Sequence, residues 1–188
     1  MPPRATLVEG ALSREPGKAT LKIPLREWDS RSHLDFGGED DSGWRSQRVS
    51  LFRMDDIVQE PVGFVKIDVE GHEREVLEGA LRIIGSDKPS FLIEIEERHR
   101  SGSVADIANF MEGHGYRSFF VDGDLIRPIR EFDIDRHQST ALIGEGDRVS
   151  YKDYINNFIF VGPHVNLPAS VPSQRQALSV SLRRIMAG

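Results

Sequence analysis

Two short apolar segments that end in acidic residues, with a helix-like segment between them, constrain this chain more than any other feature. Residues 63–70 are apolar and β-branched, and they end at Asp68 and Glu70. Residues 90–96 repeat the pattern and end in two acids, the first of which is Glu94. Short apolar runs of this kind are typical of buried parallel strands. The sequence therefore predicts a strand–helix–strand unit with carboxylates at the end of both strands.

The segment between these strands has the periodicity of an amphipathic helix. Between residues 73 and 84 the apolar side chains recur three or four positions apart, and Pro89 prevents the helix from continuing. A second helix-like segment, 103–111, is followed by strand-like runs at 116–121 and 157–161. Strands and helices that alternate at these lengths predict an α/β fold with a largely parallel sheet.

The two ends of the chain are less regular. The first sixty residues contain strand-like runs and a polar loop, and we interpret about 18–52 as a β-rich insertion. After the last predicted strand the composition shifts to Pro, Ser and Val. Residues 1–163 are therefore predicted to form one domain and residues 164–188 a tail, which includes a short basic helix at 176–186.

The charge balance argues against a nucleic-acid partner. The 188 residues carry 24 basic and 30 acidic side chains, a net charge of −6 with neutral histidines. Such a chain has no general attraction to phosphate backbones. No apolar run is long enough to span a membrane, and the lack of cysteine fits a reducing compartment. We expect a cytoplasmic protein that binds neither nucleic acid nor membrane.

Acidic and imidazole groups gather where the two strands end. In an open parallel sheet ligands bind beyond the carboxyl ends of the strands, where Asp68, Glu70 and Glu94 are predicted to lie. His72 follows at the turn into the helix and could act as a base. Each of these residues could instead be a solvated loop or capping residue. A hydrolase that holds Mg²⁺ or Mn²⁺ through the same four side chains is an alternative, but their spacing matches no common metal motif, so no metal is predicted.

Several motifs recur in a characteristic order. Val65-Lys-Ile-Asp-Val-Glu-Gly-His-Glu-Arg-Glu-Val-Leu-Glu-Gly-Ala80 leads to Lys88-Pro89 and then to Phe91-Leu-Ile-Glu-Ile95. Met54-Asp-Asp-Ile57 precedes this series, and Asn156-Asn-Phe-Ile-Phe160 follows it. The series resembles the FkbM family of S-adenosylmethionine-dependent methyltransferases, and the likeness extends over most of residues 6–162.

This resemblance implies a Rossmann-like class I methyltransferase fold, with a mostly parallel sheet and helices on both faces. It implies S-adenosylmethionine as the methyl donor and a small molecule with a hydroxyl group, such as a sugar or a secondary metabolite, as the acceptor. By position in the family motifs, Ala11, Leu12 and Ser13 would lie near the adenine of the donor. Asp68 would face the methionine end of the donor and the acceptor.

The resemblance also assigns an acceptor side to the site. Glu70, His72 and Glu94 would line it, and one of them would take the proton of the acceptor hydroxyl. The series of motifs lacks one element of the family, because the family's glycine-rich donor loop has no counterpart before residue 6.

An N-terminally incomplete fold has two expected consequences. The strand at 64–69 would lie at a sheet edge and could recruit a strand of a second copy, which would give a homodimer. The chain alone would bind S-adenosylmethionine weakly or not at all. A non-catalytic methyltransferase-fold protein that serves as a binding or oligomerisation module is the alternative to an enzyme.

Overall fold

The computed structural model of the chain describes residues 5–25, 32–35, 43–142 and 154–171. The predicted helix at 176–186 lies outside these residues. The strands are β1 (Ala11–Leu12), β2 (Gly17–Pro24), β3 (His33–Asp35), β4 (Trp44–Phe52), β5 (Phe64–Ile67), β6 (Ser90–Glu94), β7 (Arg117–Asp122), β8 (Leu125–Pro128) and β9 (Asn157–Val161). The helices are α1 (Met54–Ile57), α2 (Glu73–Glu78), α3 (Leu81–Ser86), α4 (Ser103–Gly113) and α5 (Ile134–His137).

The first four strands form one mixed sheet in the order β1-β4-β2-β3. Its centre is the antiparallel pairing of β2 with β4, which runs from Gly17 opposite Leu51 to Pro24 opposite Trp44. The two-residue strand β1 runs parallel to the end of β4. Beyond it the backbone N–H of Ser13 donates to the carbonyl of Phe52 at 2.8 Å. This pairing fixes Ser13 at the end of the first sheet.

The other five strands form a second mixed sheet in the order β5-β6-β9-β7-β8. The α/β class is confirmed, but the prediction of a mostly parallel sheet is wrong for the described strands. Only β5 and β6 are parallel here, because a helical segment joins them, whereas the hairpin at Asp122 makes β7 and β8 antiparallel. Strand β9 enters between β6 and β7 and runs antiparallel to both. The Rossmann-like detail, with helices on both faces, stays a prediction.

Strand β5 lies at the edge of the second sheet, as the sequence predicted. Among the described strands it pairs with β6 alone, in a register that sets Phe64 opposite Ser90 and Ile67 opposite Ile93. Phe64 is 60% exposed on this edge. Pairing of the edge with a second copy stays a prediction.

The hydrophobic core lies between the second sheet and helices α2, α3 and α4. Fully buried phenylalanines come from three neighbouring strands: Phe91, Phe120, Phe158 and Phe160. The helices contribute apolar side chains of the predicted stripe, including Val76, Leu77, Ile83 and Ile84. The alternation of buried and less buried residues along β6 and β9 therefore fixes which side chains of these strands face the core and which reach the sheet surface.

The single helix predicted for residues 73–84 is instead two short helices that meet at Gly79. A Cβ atom at Gly79 would lie 2.2 Å from the carbonyl oxygen of Ser13, so the first sheet packs directly on the helix backbone here. The carbonyl of Gly79 accepts the backbone N–H of Asp55 at 3.0 Å instead of continuing the helix. The prediction failed because the periodicity of apolar residues continues across the break.

Candidate active site

Asp68 and Glu94 lie close together at the carboxyl ends of β5 and β6, on either side of a shared lysine. The Nζ atom of Lys66 lies 3.4 Å from Oδ2 of Asp68 and 3.6 Å from Oε2 of Glu94. Asp68 follows directly after β5, and half of its side chain is exposed. Parallel pairing of β5 with β6 brings the two acids to the same end of the sheet.

Two asparagines complete this group: Asn156, directly before β9, and Asn157, the first residue of β9. Nδ2 of Asn156 donates to Oε1 of Glu94 at 2.6 Å, and Nδ2 of Asn157 donates to Oδ1 of Asn156 at 2.8 Å. Oδ1 of Asn157 in turn accepts from Nζ of Lys66 at 3.3 Å. We call these four residues, Lys66, Glu94, Asn156 and Asn157, the Glu94 ring. The antiparallel pairing that sets Glu94 opposite Asn157 makes the ring possible.

Glu94 is poised to exchange a proton near neutral pH. Burial and the nearby carboxylate of Asp68 raise its pKa to about 7, although Lys66 opposes the shift. Three quarters of the side chain is buried, yet a quarter stays exposed. A carboxyl group with such a pKa can act as a general base at physiological pH.

Glu96 lies just beyond β6 and anchors the loop there. Its side chain is only 5% exposed. It accepts hydrogen bonds from the guanidinium of Arg98, from the hydroxyl of Tyr154 at 2.9 Å and from Nδ2 of Asn156 at 3.3 Å. Burial opposes ionisation of Glu96, but these donors outweigh it and lower the pKa. Glu96 is therefore a buried, charged support for its neighbours.

Glu70 lies in a tight turn with a positive φ of 51° and pairs with His99. Its Oε2 lies 2.8 Å from Nε2 of His99. This hydrogen bond to Glu70 raises the pKa of His99, while burial acts in the opposite direction. His99 also lies 4.0 Å from Glu96. The pair of Glu70 and His99 thus connects the loop after β5 with the loop after β6.

His72 connects the two sheets. Its Nε2 lies 3.0 Å from the hydroxyl oxygen of Ser13, and its Nδ1 lies 3.5 Å from Oε2 of Glu75. Burial lowers the pKa of His72, so the imidazole is neutral at pH 7. The contact with Ser13 fixes the orientation of the imidazole.

A cleft of about 450 Å³ opens above the loops that carry these groups. Its lining includes His33, Leu34, Glu70, His72, Arg98 and His99. This volume suits a small-molecule ligand, and both signs of charge are present. The predicted site residues therefore fall into two groups. Glu70 and His72 line the cleft, whereas Asp68 and Glu94 lie at the carboxyl ends of β5 and β6.

The residues predicted to contact the donor lie mainly in the first sheet. Ala11 and Leu12 are half-buried and form β1, which pairs with Leu51 and Phe52. Ser13 is buried against His72. Their assignment to the adenine of a methyl donor stays a prediction.

Sequence reasoning missed Lys66, Arg98 and the two asparagines. The asparagine pair directly before the last strand was the available signal, because a strand that begins with two amides beside an acidic strand end can bond to it. The contact itself depends on the antiparallel insertion of β9, which the sequence pattern did not predict.

Comparison with known proteins assigns the chain to a family. A family model described as the methyltransferase FkbM domain matches residues 5–118, more than half of the chain. The chain belongs to the FkbM methyltransferase family. The match includes Glu70, His72 and Glu94, whereas Asn156 and Asn157 lie beyond it.

One solved structure with a similar chain is a methyltransferase FkbM from Methylobacillus flagellatus KT. It shares 21% sequence identity with this FkbM chain, with a TM-score of 0.40. The match covers 60% of this chain and 23% of the other, so this chain spans about a quarter of that protein. No curated protein matches at a significant level.

Residues 5–25, 32–35, 43–142 and 154–171 contain no candidate metal site and no candidate membrane span. No group of three or more His, Asp or Glu side chains in these ranges has the arrangement needed to hold a metal ion. No helix within them has the length and apolar character to cross a membrane.

Proposed function

We propose that this FkbM chain takes part in an S-adenosylmethionine-dependent methyl transfer to a hydroxyl oxygen of a small molecule, such as a sugar or a secondary metabolite. Family membership supports methyl transfer. The observation that carries the choice of a hydroxyl acceptor is Glu94, a partly exposed carboxyl group with a pKa of about 7 at the carboxyl end of β6. A hydroxyl group must lose its proton when its oxygen is methylated, and a base that is half ionised near pH 7 can take it.

The described residues fit one part of the donor. S-adenosylmethionine supplies an electrophilic methyl group on a sulfonium centre and also carries an ammonium group. The half-exposed carboxylate of Asp68 suits such a cationic end, because it lies beyond β5 and is not enclosed by the core. The purine end would need an apolar contact, for which Leu12 and its neighbours in β1 are the proposed residues.

The role of each side chain follows from its contacts. Glu94 accepts the proton of the acceptor hydroxyl at Oε2, since Oε1 already accepts a hydrogen bond from Asn156. His72, Arg98 and His99 line the cleft and are the proposed contacts for oxygen atoms of the acceptor there.

The donor-binding half of this proposal is tested by titrating the chain with S-adenosylmethionine up to millimolar concentration while backbone amide signals are recorded by NMR. We expect weak binding, with the amides of Asp68 and Glu70 among those that shift. The Asp68→Asn variant should weaken the response, whereas Asp124→Asn, at an exposed position of the turn between β7 and β8, should not. No shift at these amides at millimolar donor would overturn the proposed donor site.

Transfer is tested with a radiolabelled methyl donor and a panel of sugars and secondary metabolites that carry hydroxyl groups. We expect Glu94→Gln to lower turnover by about 100-fold. The matched variant Glu112→Gln, at an exposed position of α4, should retain it. Equal turnover in both variants would overturn the assignment of Glu94 as the base.

A further inference from the structure

We propose that Asn156 and Asn157 are positioning residues that hold the Glu94 carboxyl group in one orientation for proton transfer, through a ring of three hydrogen bonds that the ion pair of Lys66 with Glu94 closes. The inference rests on the proposed function, which makes Glu94 the base. The inference adds a role for two residues to the proposed function, since methyl transfer as such does not require two consecutive amides where the last strand begins.

The ring joins three neighbouring strands. Lys66 is on β5, Glu94 ends β6 and Asn157 begins β9. Backbone pairing fixes both contacts, since β5 and β6 are in register up to Ile67 and Ile93, and Glu94 lies directly opposite Asn157. A carboxyl group surrounded in this way has little freedom to rotate.

The direction of each hydrogen bond determines the orientation of the amides. Asn156 uses its Nδ2 toward two carboxylates, Oε1 of Glu94 at 2.6 Å and Oε1 of Glu96 at 3.3 Å, neither of which can donate when ionised. Its Oδ1 accepts from Asn157 at 2.8 Å. If the amide of Asn156 rotated by half a turn, its oxygen would face both carboxylates. The hydrogen bond from Asn157 therefore opposes that rotation.

The same arrangement makes the two oxygens of Glu94 different. Oε1 accepts from the buried amide of Asn156, whereas Oε2 lies 3.6 Å from Lys66, a side chain that is 38% exposed. The oxygen on the exposed side is the one that can receive a proton from an acceptor. Lys66 also contacts Asp68, so a single cation balances the two acids.

The charged and titratable groups that face Glu94 come from every neighbouring element. They are Lys66 on β5, Asp68 and Glu70 in the loop after it, Glu96 beyond β6, and Tyr154 before β9. Loss of a donor or a cation from the ring disfavours the ionised form of Glu94. A variant of the ring should therefore raise the pKa of Glu94, and a variant with only a structural effect should leave it unchanged.

The test uses Asn157→Ala, because the amide of Asn157 forms its hydrogen bonds with Asn156 and Lys66 and acts on Glu94 through them. The titration of Glu94 is followed by the NMR signal of its ¹³C-labelled carboxyl carbon, and turnover is measured against pH. We expect the titration midpoint of Glu94 and the acidic limb of the kcat profile to move upward together. Turnover should fall by about 10-fold to 100-fold, with KM changed less than about twofold.

Asn157→Gln, which keeps the amide, should restore part of the lost turnover. Asn109→Ala, at an exposed position of α4, is the matched control and should leave both measurements unchanged. Lys66→Gln provides a second, independent test, since it removes the cation of the ring from a partly exposed position, and it should also raise the midpoint.

The outcomes separate this proposal from the proposed function. A Glu94 signal that titrates as in the unmodified chain in both Asn157→Ala and Lys66→Gln would overturn the positioning role, whatever the activity. A raised midpoint in both variants supports it. If the midpoint rises but the unmodified chain transfers no methyl group to any acceptor, the hold of the ring on Glu94 is supported and the proposed function is overturned.

Discussion

The carboxylate of Asp55 accepts a hydrogen bond of 2.7 Å from the backbone N–H of Arg82, 27 positions further along the chain. A second bond, at 3.1 Å, comes from the backbone N–H of Ile83. These N–H groups belong to the first turn of α3, which has no capping side chain of its own. An acid on α1 therefore caps the start of α3. The contact connects the segment that follows the first sheet to a helix that packs on the second sheet.

We expect Asp55→Ala to lower the free energy of unfolding by about 2 kcal/mol, since it leaves two N–H groups in the first turn of α3 without their partner, one of them at the buried Ile83. Urea denaturation followed by circular dichroism measures the change. The control is Asp56→Ala, because this neighbouring acid is exposed. An equal loss in both variants would show that the cap is not what stabilises the chain.

We expect Gly79→Ala to destabilise the chain and to disturb the contact between Ser13 and His72. The added Cβ would lie 2.2 Å from the backbone oxygen of Ser13, so one of the two segments must move. The expected loss is about 1–3 kcal/mol. Loss of the hydrogen bond to Ser13 should also change the NMR signals of the His72 ring.

Gly85→Ala is the matched control for this substitution. Gly85 lies in α3, and nothing lies within 4 Å of a Cβ added there. Alanine is favoured over glycine in helices by about 1 kcal/mol, so this variant should be neutral or more stable. A similar destabilisation by both substitutions would contradict the close packing of Ser13 on Gly79.

We expect the Glu94 carboxyl group to make the folded chain less stable as the pH rises. Its pKa is raised from 4.5 to about 7, chiefly by burial. As the pH rises, the folded state therefore keeps a proton that the unfolded state has already released at a lower pH. This contribution is fully present below pH 4.5 and is lost as the pH rises to about 7.

Glu94→Gln cannot titrate and should lack this loss. Relative to the unmodified chain, its free energy of unfolding should therefore increase between about pH 5 and about pH 8. Urea denaturation at both values measures the difference, with Glu112→Gln as the control at an exposed position. A difference that is constant with pH would show that Glu94 titrates normally.

We expect Glu70→Gln to lower the pKa of His99 and to leave that of His72 nearly unchanged. The hydrogen bond from His99 to Glu70 is the main cause of the raised pKa of His99, whereas burial and Glu75 act on His72. Histidine ring signals recorded against pH by NMR report both residues in one experiment. Equal shifts of the two histidines would contradict the separate contacts.

The same pair affects stability in a defined direction. Folding raises the pKa of His99 above its ordinary value of 6.5. Protonated His99 therefore stabilises the folded chain fully below pH 6.5, and this contribution is lost as the pH rises through the pKa of the folded state. Glu70→Gln should therefore destabilise the chain at acidic pH and have less effect at alkaline pH.

The local pattern of the sequence determined most of the second sheet. Alternating and continuous apolar runs predicted β5, β6, β7 and β9, because side-chain periodicity depends only on neighbouring residues. The acids that close two of these runs likewise placed Asp68 directly after β5 and Glu94 at the end of β6. These features do not depend on how distant segments meet.

Tertiary structure alone decided how these strands are ordered and which partner each acid has. The antiparallel position of β9 placed Asn156 and Asn157 beside Glu94, and the approach of Ser13 to Gly79 divided one predicted helix into two. Pairing between segments that lie far apart in the chain depends on the complete packing of both sheets, and no periodicity records it. The local sequence thus determined which strands end in acids, whereas the proton affinity of Glu94 depends on neighbours that only the fold brings to it.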